Sequence, residues 1–563
     1  MAGEAGTRLA PYRLLAANRP LARVVAAYAL FVLTEYAVWI AMLVYAYARG
    51  GATTAGLIAL AQLVPAAVAA PLAAAAADRR SPVVLLAGGY LAQAAGMALA
   101  AAAIAAGLTP VAYAGAVLAA TAVTATRPAQ ASLIPAVSVS PDQLTAANVV
   151  AGSVEAAGIT AAGLLAGGLI WAGGAGLVFA VCAGLAVAAA ALVARLRVPP
   201  VRAAGEDQPG VLAGLGECVA LAARRHDLRL MLALLTAGSV IVGALDLLFV
   251  ILAVTVLGRS QAWAGYLNSF YGAGAILAVA AGVLLTGRRL GAPILAAALL
   301  LSAALAVLAA GPGLAGTVAL LALAGASREV LDVASRTLLQ RSVPAQLVGQ
   351  VFGVLEGLTM AGLAAGALLV PALVRVGGSR AALLGVAAVL PLAAIAGGRA
   401  LFSLDAGTPV PLVQITLLRS LPLFAELPVP AIEGLAAALE PVTLAAGTTL
   451  IRQGDPGDAY YAIAAGELDV SQDGEFLRRC GRGEGVGEIA LLRAIPRTAT
   501  VTARTDATVY ALGREPFLTA VLGHTATHSE AARIADARLA TDPGPHLLRG
   551  KDVTSASTWP PAP

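Results

Sequence analysis

The distribution of apolar residues changes at about residue 400. Before that point, apolar segments of about 20 residues or more follow one another, each long enough to cross a bilayer core of about 30 Å as a helix. About twelve such segments form two sets of six, separated by a polar, arginine-bearing stretch over 195–229. The predicted spans lie near 22–48, 53–77, 82–106, 110–134, 145–171 and 175–194, and near 230–257, 262–286, 290–310, 314–336, 347–373 and 379–400.

After Arg399 the pattern is that of a water-soluble domain. Residues 401–413, with Asp405, Pro409 and Pro411, predict a short and stiff linker. Apolar positions at helical spacing return over 412–439, and short strand-like runs separated by Gly and Asp turns follow. Frequent turns between short strands favour a small β-roll or barrel, and residues 514–540 predict one or two further helices.

Composition and charge support a membrane protein. An apolar fraction of 59% and a charged fraction of 12% exclude an ordinary soluble chain. The first apolar run is too long for the core of a cleaved signal, so it predicts a retained span. The net charge of +5 comes mostly from arginines near span ends. Their bias places both termini in the cytoplasm, at the cell (inner) membrane, and does not indicate nucleic-acid binding.

An internal repeat relates the two sets of spans. Pro141 opens a loop that resembles the loop opened by Pro344, and Glu155 and Glu356 follow the two loops at similar distances. Matching halves indicate a pseudo-symmetric transporter with its path at the interface of the halves. The predicted organisation is a six-span half over 1–200, a cytoplasmic loop over 201–229, a six-span half over 230–400, a linker over 401–413, a soluble domain over 414–540 and a disordered tail over 541–563.

Residues 20–400 resemble the major facilitator superfamily, and within it the drug:proton antiporter-like exporters. The stretch 74–80, which ends in Asp78 and two arginines, is similar to the family's loop between spans two and three. Ala74 replaces the usual Gly there, and the equivalent loop at 286–289 lacks the Asp. The resemblance implies an all-α domain of twelve transmembrane helices and a proton-coupled exporter of a small molecule.

Two carboxylates inside the predicted spans are candidates for ion coupling. Glu35 lies midway along span one and Asp246 lies deep in span seven, where an unpaired charge costs about 3 kcal/mol or more. Because these spans correspond under the repeat, both side chains are predicted to face one cavity and to bind a proton or cation. The alternative is a carboxylate hydrogen-bonded to a neighbouring helix or lying near an aqueous end.

A second charged group lies toward the cytoplasmic ends of the spans. In the superfamily, corresponding positions often form ion pairs that close the cytoplasmic gate. The resemblance implies one pair network of Asp78 with Arg127 and Glu155, and another of Glu356 with Arg328 or Arg336. Static ion pairs that tie helices together are the alternative. The candidate gate residues are Asp78, Arg127, Glu155, Arg328, Asp332, Arg336 and Glu356.

The soluble domain contains a motif suited to a cyclic phosphate. Gly487 permits close backbone approach at the start of a short helix, whose N–H groups can receive an anion. Arg497, nine residues after Glu488, can add a charge-assisted hydrogen bond to the same phosphate. Glu488 is an acceptor suited to a ribose 2′-hydroxyl, so 2′-deoxy or linear nucleotides are predicted to bind poorly.

This motif resembles the phosphate-binding cassette of cyclic-nucleotide-binding domains, and the resemblance covers roughly 415–540. It implies a jelly-roll fold in which Glu488 binds the ribose and Arg497 the phosphate. Val486 stands where an aromatic residue is common, which weakens packing but removes no polar contact. The regulatory ligand is expected to be cAMP, with cGMP as the alternative. The predicted site residues are Gly487, Glu488, Ile489, Ala490, Arg497, Thr498 and Ala499.

Together these features predict a secondary transporter, an exporter by resemblance, that is modulated by a cyclic nucleotide. A non-transporting membrane receptor for the nucleotide is the alternative, and a gated channel is disfavoured because no filter-like segment occurs. No nucleophile–base pair or metal-ligand spacing predicts an enzyme, a metal site or a cofactor. The expected partners are the lipid bilayer, the cyclic nucleotide and a small-molecule solute, with no nucleic acid, in a monomer or weak homodimer.

Overall fold

A computed structural model of the chain separates into two units, Met1–Pro409 and Val410–Pro563. In the part that the structure describes, the larger unit is helical and the smaller contains eight strands and short helices. The structure describes residues 18–79, 81–137, 141–196, 226–282, 289–343, 345–407, 412–425, 438–493 and 495–522, together with residues 15, 427, 432, 434–436 and 533–534.

The described part of the larger unit is a set of long apolar helices. They are α1 (Arg19–Arg79), α2 (Pro82–Ala105), α3 (Thr109–Val137), α4 (Pro141–Ala194), α5 (His226–Ile251), a π-helical turn (Leu252–Val256), α6 (Trp263–Gly282), α7 (Gly291–Leu308), α8 (Gly313–Ser342) and α9 (Ala345–Gly407). Among the described residues, 8 helices are long and apolar enough to cross a membrane.

Three of these helices are too long for a single crossing. The apolar part of α1 alone has 48 residues, which would extend roughly 70 Å in a straight helix, more than twice the bilayer core. Each long helix contains glycines with non-helical dihedral angles, and three of them have a positive φ that other residues rarely adopt. These are Gly51 (φ 64°) in α1, Gly174 (φ 77°) in α4 and Gly378 (φ 68°) in α9.

Small residues allow close packing between helices of the two sequence halves. A Cβ added to Gly167 of α4 would lie 2.9 Å from the carbonyl oxygen of Ala262, at the start of α6. Nearby, the Ser269 hydroxyl on α6 donates to the Thr160 carbonyl on α4 at 2.7 Å. In a membrane such close approach supplies packing that the hydrophobic effect cannot.

The described part of the smaller unit contains two antiparallel four-stranded sheets, with strand orders β1-β8-β3-β6 and β2-β7-β4-β5. The predicted C-terminal domain of short strands is therefore confirmed. Its elements are α10 (Leu412–Ser420), β1 (Glu440–Leu444), β2 (Thr449–Ile451), β3 (Ala459–Ala465), β4 (Leu468–Gln472), β5 (Glu475–Cys480), β6 (Gly485–Val486), α11 (Glu488–Arg493), β7 (Thr500–Ala503), β8 (Ala507–Gly513) and α12 (Arg514–Leu522).

An aromatic cluster packs α12 onto the first sheet. Tyr460 of β3 stacks on Phe517 of α12 with ring centroids 5.1 Å apart, and Phe424 meets both rings edge-on. All three side chains are buried. Such pairs add roughly 0.5–1.5 kcal/mol each beyond their buried area, so they fix α12 against the strands.

The predicted linker begins too early. Helix α9 continues through residues 401–407, because the Asp405 carboxylate accepts a hydrogen bond from the Leu290 backbone N–H at 2.9 Å and anchors this last turn. Most of the predicted loop over 201–229 and the predicted tail over 541–563 lie outside the described residues. The predicted helices over 514–540 are described only for α12 and for residues 533–534.

Candidate functional site

The predicted cassette forms a strand, a glycine and a short helix. Strand β6 ends at Val486, Gly487 follows with φ +95°, and Glu488 opens α11. Glu488 is 2% exposed, so its carboxylate lies inside the domain at the N-terminus of this helix. A negative charge is favoured at the N-terminus of a helix, because the free backbone N–H groups of the first turn point out of that end.

Arg497 is the most tightly held charged residue of the cassette. Its side chain is buried and donates to the carbonyl oxygens of Gly487 at 3.0 Å and Ala459 at 2.7 Å. The guanidinium also pairs with the Asp458 carboxylate at 2.9 Å, although Asp458 itself is 80% exposed. Protein acceptors thus fix the guanidinium plane before a ligand arrives.

The ring of Tyr461 lies beside this guanidinium. The carbon at the centre of the Arg497 guanidinium is 5.9 Å from the ring centroid. Burial first, and the Asp458 carboxylate second, raise the pKa of the Tyr461 phenol, while Arg497 opposes them. The phenol therefore stays neutral at physiological pH, and the positive charge of Arg497 remains available to an anion.

One cavity brings together all the residues predicted for the nucleotide site. Its empty volume is about 400 Å³, counting space open to solvent. Arg478 of β5 lines the same cavity but was not predicted from the sequence. The face of the sheet on which a strand residue lies can be assigned only when the pairing of that strand is known. The cavity is lined by Ile451, Val470, Arg478, Val486, Gly487, Glu488, Ile489, Ala490, Arg497, Thr498, Ala499 and Val501.

Gly487→Ala is expected to weaken cyclic-nucleotide binding by about tenfold or more, which is the effect of losing one charge-assisted hydrogen bond. A Cβ at this position would lie 2.5 Å from Nη1 of Arg497, so the guanidinium must move. Binding titration of the full-length variant measures the effect. Gly483→Ala is the matched control: it has a similar φ of +82°, but the nearest atom to its Cβ is 3.7 Å away. Equal losses in both variants would attribute the effect to backbone strain and contradict the prediction.

In the helical unit, Arg127 connects two of the predicted carboxylates. Its guanidinium lies 2.8 Å from a Glu35 oxygen and 3.6 Å from a Glu155 oxygen. The hydroxyls of Tyr28 and Tyr36 both donate to Glu155. Arg127 and Glu155 thus meet, as predicted for the gate, and Glu35 joins them. The side chain of Asp78, the third predicted member, lies outside the described residues.

Asp246 accepts a hydrogen bond from the Trp39 indole N–H at 3.0 Å, which is the kind of contact with a neighbouring helix that the alternative interpretation describes. Glu35 pairs instead with Arg127, and the prediction that both carboxylates face one cavity stays a prediction. Trp39 follows Glu35 by one helical turn, so both face the same side of α1. This hydrogen bond joins α1 of the first half to α5 of the second half, and Trp39 was missed by the sequence reasoning.

Among the described residues, Arg328 and Arg336 pair with Asp332, and their predicted pairing with Glu356 is not seen. Asp332 lies 3.2 Å from Arg328 and 2.8 Å from Arg336, one turn away on either side in α8. This spacing within one helix pairs both arginines with Asp332, although the buried Nε of Arg328 makes no hydrogen bond to a described residue. Glu356 is exposed, and no ion pair joins it to any described residue. The same part of the chain contains no group of three or more His, Cys, Asp or Glu residues placed to hold a metal ion.

Comparisons with known proteins match both units. Residues 24–316, more than half of the chain, match the family model of the Major Facilitator Superfamily, and residues 441–524 match that of the cyclic nucleotide-binding domain. Over 85 residues the chain is 42% identical to a cAMP-dependent protein kinase regulatory subunit of Aspergillus niger, covering 15% of this chain and 21% of that protein. The chain thus spans about a fifth of this relative.

Two solved structures resemble parts of the chain. The regulatory domain of Toxoplasma gondii PKA with cAMP is 32% identical, with 25% of this chain and 54% of that chain covered and a TM-score of 0.21. The N-terminal domain of a transcriptional regulator from Streptomyces coelicolor A3(2) is 35% identical, with 22% and 92% covered and a TM-score of 0.20. On the two family matches, the chain belongs to the Major Facilitator Superfamily and carries a C-terminal cyclic nucleotide-binding domain.

Proposed function

We propose that the chain is a proton-coupled exporter of a small-molecule solute whose activity is modulated by cAMP. The observation that carries this proposal is that Glu488 and Arg497 line one cavity in a chain that belongs to a transporter superfamily. Arg497 binds the cyclic phosphate through charge-assisted hydrogen bonds, and Glu488 accepts from the ribose 2′-hydroxyl. The relative from Aspergillus niger, a cAMP-dependent regulatory subunit by name, supports cAMP as the ligand.

The proposed topology has twelve spans with both termini in the cytoplasm. The glycine kinks near residues 51, 174 and 378 divide α1, α4 and α9 into two spans each, and α6 contributes one more apolar helix of 20 residues. The bias of arginine toward one set of loops supports this orientation in the cell (inner) membrane. With this orientation the nucleotide-binding domain lies in the cytoplasm, where cAMP is available.

The proposed transport path lies between the halves, where Asp246 and Trp39 meet. A carboxylate inside a span is costly unless it has a function or a partner, and among the described residues Asp246 accepts a hydrogen bond from the neutral Trp39 indole at 3.0 Å. In this scheme Asp246 carries the coupling proton, and the Glu35, Arg127 and Glu155 group ties α1, α3 and α4 together at the gate.

Modulation requires that nucleotide binding change the population of a transport state. Helix α9 ends at Gly407 and α10 begins at Leu412, so the chain leads from the last proposed span into the domain within residues 408–411. A coupling free energy of about 1–3 kcal/mol would change the flux by roughly 5- to 150-fold at most. Binding energy that differs between the two states is the only source of this change.

Solute flux into proteoliposomes, screened with and without cAMP on the domain side, tests the proposal. The wild type is expected to transport at least one solute at a rate that cAMP changes. A variant that ends at Gly407 is expected to keep transport and lose the response. Flux that is insensitive to cAMP in the wild type contradicts modulation, and the absence of flux for every solute favours a non-transporting receptor.

A further inference from the structure

A second cavity lies at the end of the helical unit that the proposed topology places on the non-cytoplasmic side. Its empty volume is about 980 Å³, counting space open to solvent, whereas the nucleotide cavity has about 400 Å³ measured in the same way. Helices α1 and α4 of the first half contribute to it, and so does the segment that precedes α6 in the second half. It is lined by Val44, Tyr45, Ala48, Arg49, Ile170, Trp171, Gly174, Ala175, Ser260, Gln261 and Ala262.

This outer cavity lies where the two sequence halves meet. Tyr45 is six residues beyond Trp39 in α1, which is roughly 9 Å along a helix, and Trp39 donates to Asp246. Ala262, another lining residue, presents the carbonyl oxygen against which Gly167 of α4 packs. A solute that passes between the halves on the proposed path would therefore leave the protein through this cavity.

Arg49 is the charged side chain among the lining residues. Its Nε donates to the Thr109 hydroxyl at 3.1 Å, and the central carbon of its guanidinium lies 3.4 Å from the centroid of the Tyr45 ring. Nη1 makes a long contact of 3.5 Å with the Tyr45 carbonyl oxygen, and none of the described carboxylates forms an ion pair with the guanidinium. Thr109 and Tyr45 thus hold the guanidinium plane, and the edge that carries both Nη atoms can donate to an anion.

Positive charge is unbalanced along the whole outer side. The connections that the proposed topology places there contain Arg49, Arg259 and Arg375 in their sequence but no Asp or Glu, although arginine is normally depleted from this side of a membrane protein. Arg259 adjoins the cavity and lies over the Trp263 ring, with 5.3 Å from the guanidinium carbon to the ring centroid. Charge of one sign beside an apolar cleft raises the local concentration of anions. These connections are residues 49–52, 107–109, 172–174, 258–261, 311–313 and 374–378.

A lipid headgroup and a soluble solute can offer an arginine the same oxyanion. An arginine that contacts headgroups extends its apolar stem along the lipid-facing surface. Arg49 instead folds back over Tyr45 of its own helix and lines a cavity that it shares with Ser260 and Gln261 of the second half. This placement favours a soluble anion, whose apolar part can lie against the apolar residues of the same cavity.

We infer that the outer cavity binds the exported solute and that this solute is a small organic anion, whose carboxylate, phosphate or sulfonate is held by Arg49. The inference rests on the proposed function, because it names the solute class of that transport path. It also fixes the charge moved in each cycle. A proton that enters and a monoanion that leaves together carry two positive charges inward, whereas exchange of a proton for a monocation carries none. An inside-negative membrane potential therefore drives export of the anion.

Iodide quenching of tryptophan fluorescence, in the full-length protein at low ionic strength, measures the attraction of an anion to the cavity. Trp171 lines the cavity and is 79% exposed, and its signal is the part that Trp171→Phe removes. Arg49→Gln is expected to lower the iodide quenching constant of this signal by about 2- to 3-fold, the effect of one unit charge several ångströms away in water. Quenching by neutral acrylamide should not change. Arg49→Lys restores the iodide constant, and Arg375→Gln, the matched control outside the cavity lining, leaves both constants unchanged.

The same measurement separates a solute from a lipid. The effect of Arg49 is expected both in detergent and in phosphatidylcholine nanodiscs, because a soluble anion reaches the cavity in each. An effect that is lost in the nanodiscs would assign Arg49 to a lipid phosphate and overturn the inference. Equal iodide constants in the wild type and Arg49→Gln would overturn it as well.

The solute screen in proteoliposomes tests the charge class. The transported solutes are expected to be anions at pH 7, and a membrane potential set by a potassium gradient should accelerate their export. Arg49→Gln is expected to raise the half-saturation concentration for equilibrium exchange of such an anion by about tenfold, the effect of one charge-assisted hydrogen bond. Transport of cations or neutral solutes alone would make this inference wrong while the proposed function stands. If no solute of any charge is transported, the proposed function fails and the inference fails with it.

Discussion

Arg497→Ala is expected to weaken cyclic-nucleotide binding by at least about 100-fold. Two charge-assisted hydrogen bonds to the phosphate are each worth about 1.5–3 kcal/mol, and every 1.4 kcal/mol is a factor of ten in affinity. The loss should be the same for cAMP and cGMP, because the cyclic phosphate is common to both. Binding titration of the full-length protein measures it.

The buried position of Arg497 requires a folding control for this variant. Its removal leaves the carbonyl oxygens of Gly487 and Ala459 without their donor, so the domain itself loses stability. Arg497→Lys keeps the charge but not the planar fork, and an intermediate affinity is expected. Arg482→Ala changes an exposed arginine just before the cassette and should bind normally. Near wild-type affinity in a folded Arg497→Ala protein contradicts the assignment.

The residues that line the candidate cavity were largely predictable, because most of them are local in sequence. Gly487, Glu488 and Arg497 lie within one strand–helix–strand segment, and the chemistry of each residue type indicates its role. Asp458 belongs to a different turn, and its contact with Arg497 depends on the packing of β3 beside the cassette. Assigning Arg478 to the cavity requires the register of β5 against β4, and no local sequence pattern gives that register.

The helical unit shows the same division between local and long-range features. Apolar length predicted where helices run, and the breaks expected between residues 48 and 53 and between 171 and 175 coincide with the kinks at Gly51 and Gly174. The partners of the charged residues could not be predicted. Trp39 and Asp246 are 207 residues apart, and Glu35 and Arg127 are 92 apart, so only tertiary packing brings them together.

Asp246→Asn is expected to abolish proton-coupled transport. Flux driven by a pH gradient should fall by about 100-fold or more when no other group carries the proton. An amide cannot bind and release a proton at neutral pH, yet its oxygen can still accept the hydrogen bond from Trp39. Because a neutral amide is less costly inside a span than a carboxylate, the variant should fold at least as well as the wild type. Loss of flux would then come from lost coupling.

Proteoliposomes containing a pH-sensitive dye report the coupled proton movement for whichever solute the flux screen identifies. Asp246→Glu is expected to restore part of the coupling, because it returns a titratable group to the same place. Asp405→Asn is the matched control. This buried carboxylate anchors the last turn of α9 by accepting a hydrogen bond from the Leu290 N–H, and an amide oxygen can do the same. Asp246, unlike Asp405, lies at the junction of α1 and α5. Proton movement that survives Asp246→Asn would therefore assign the coupling to another group, with Glu35 the next candidate.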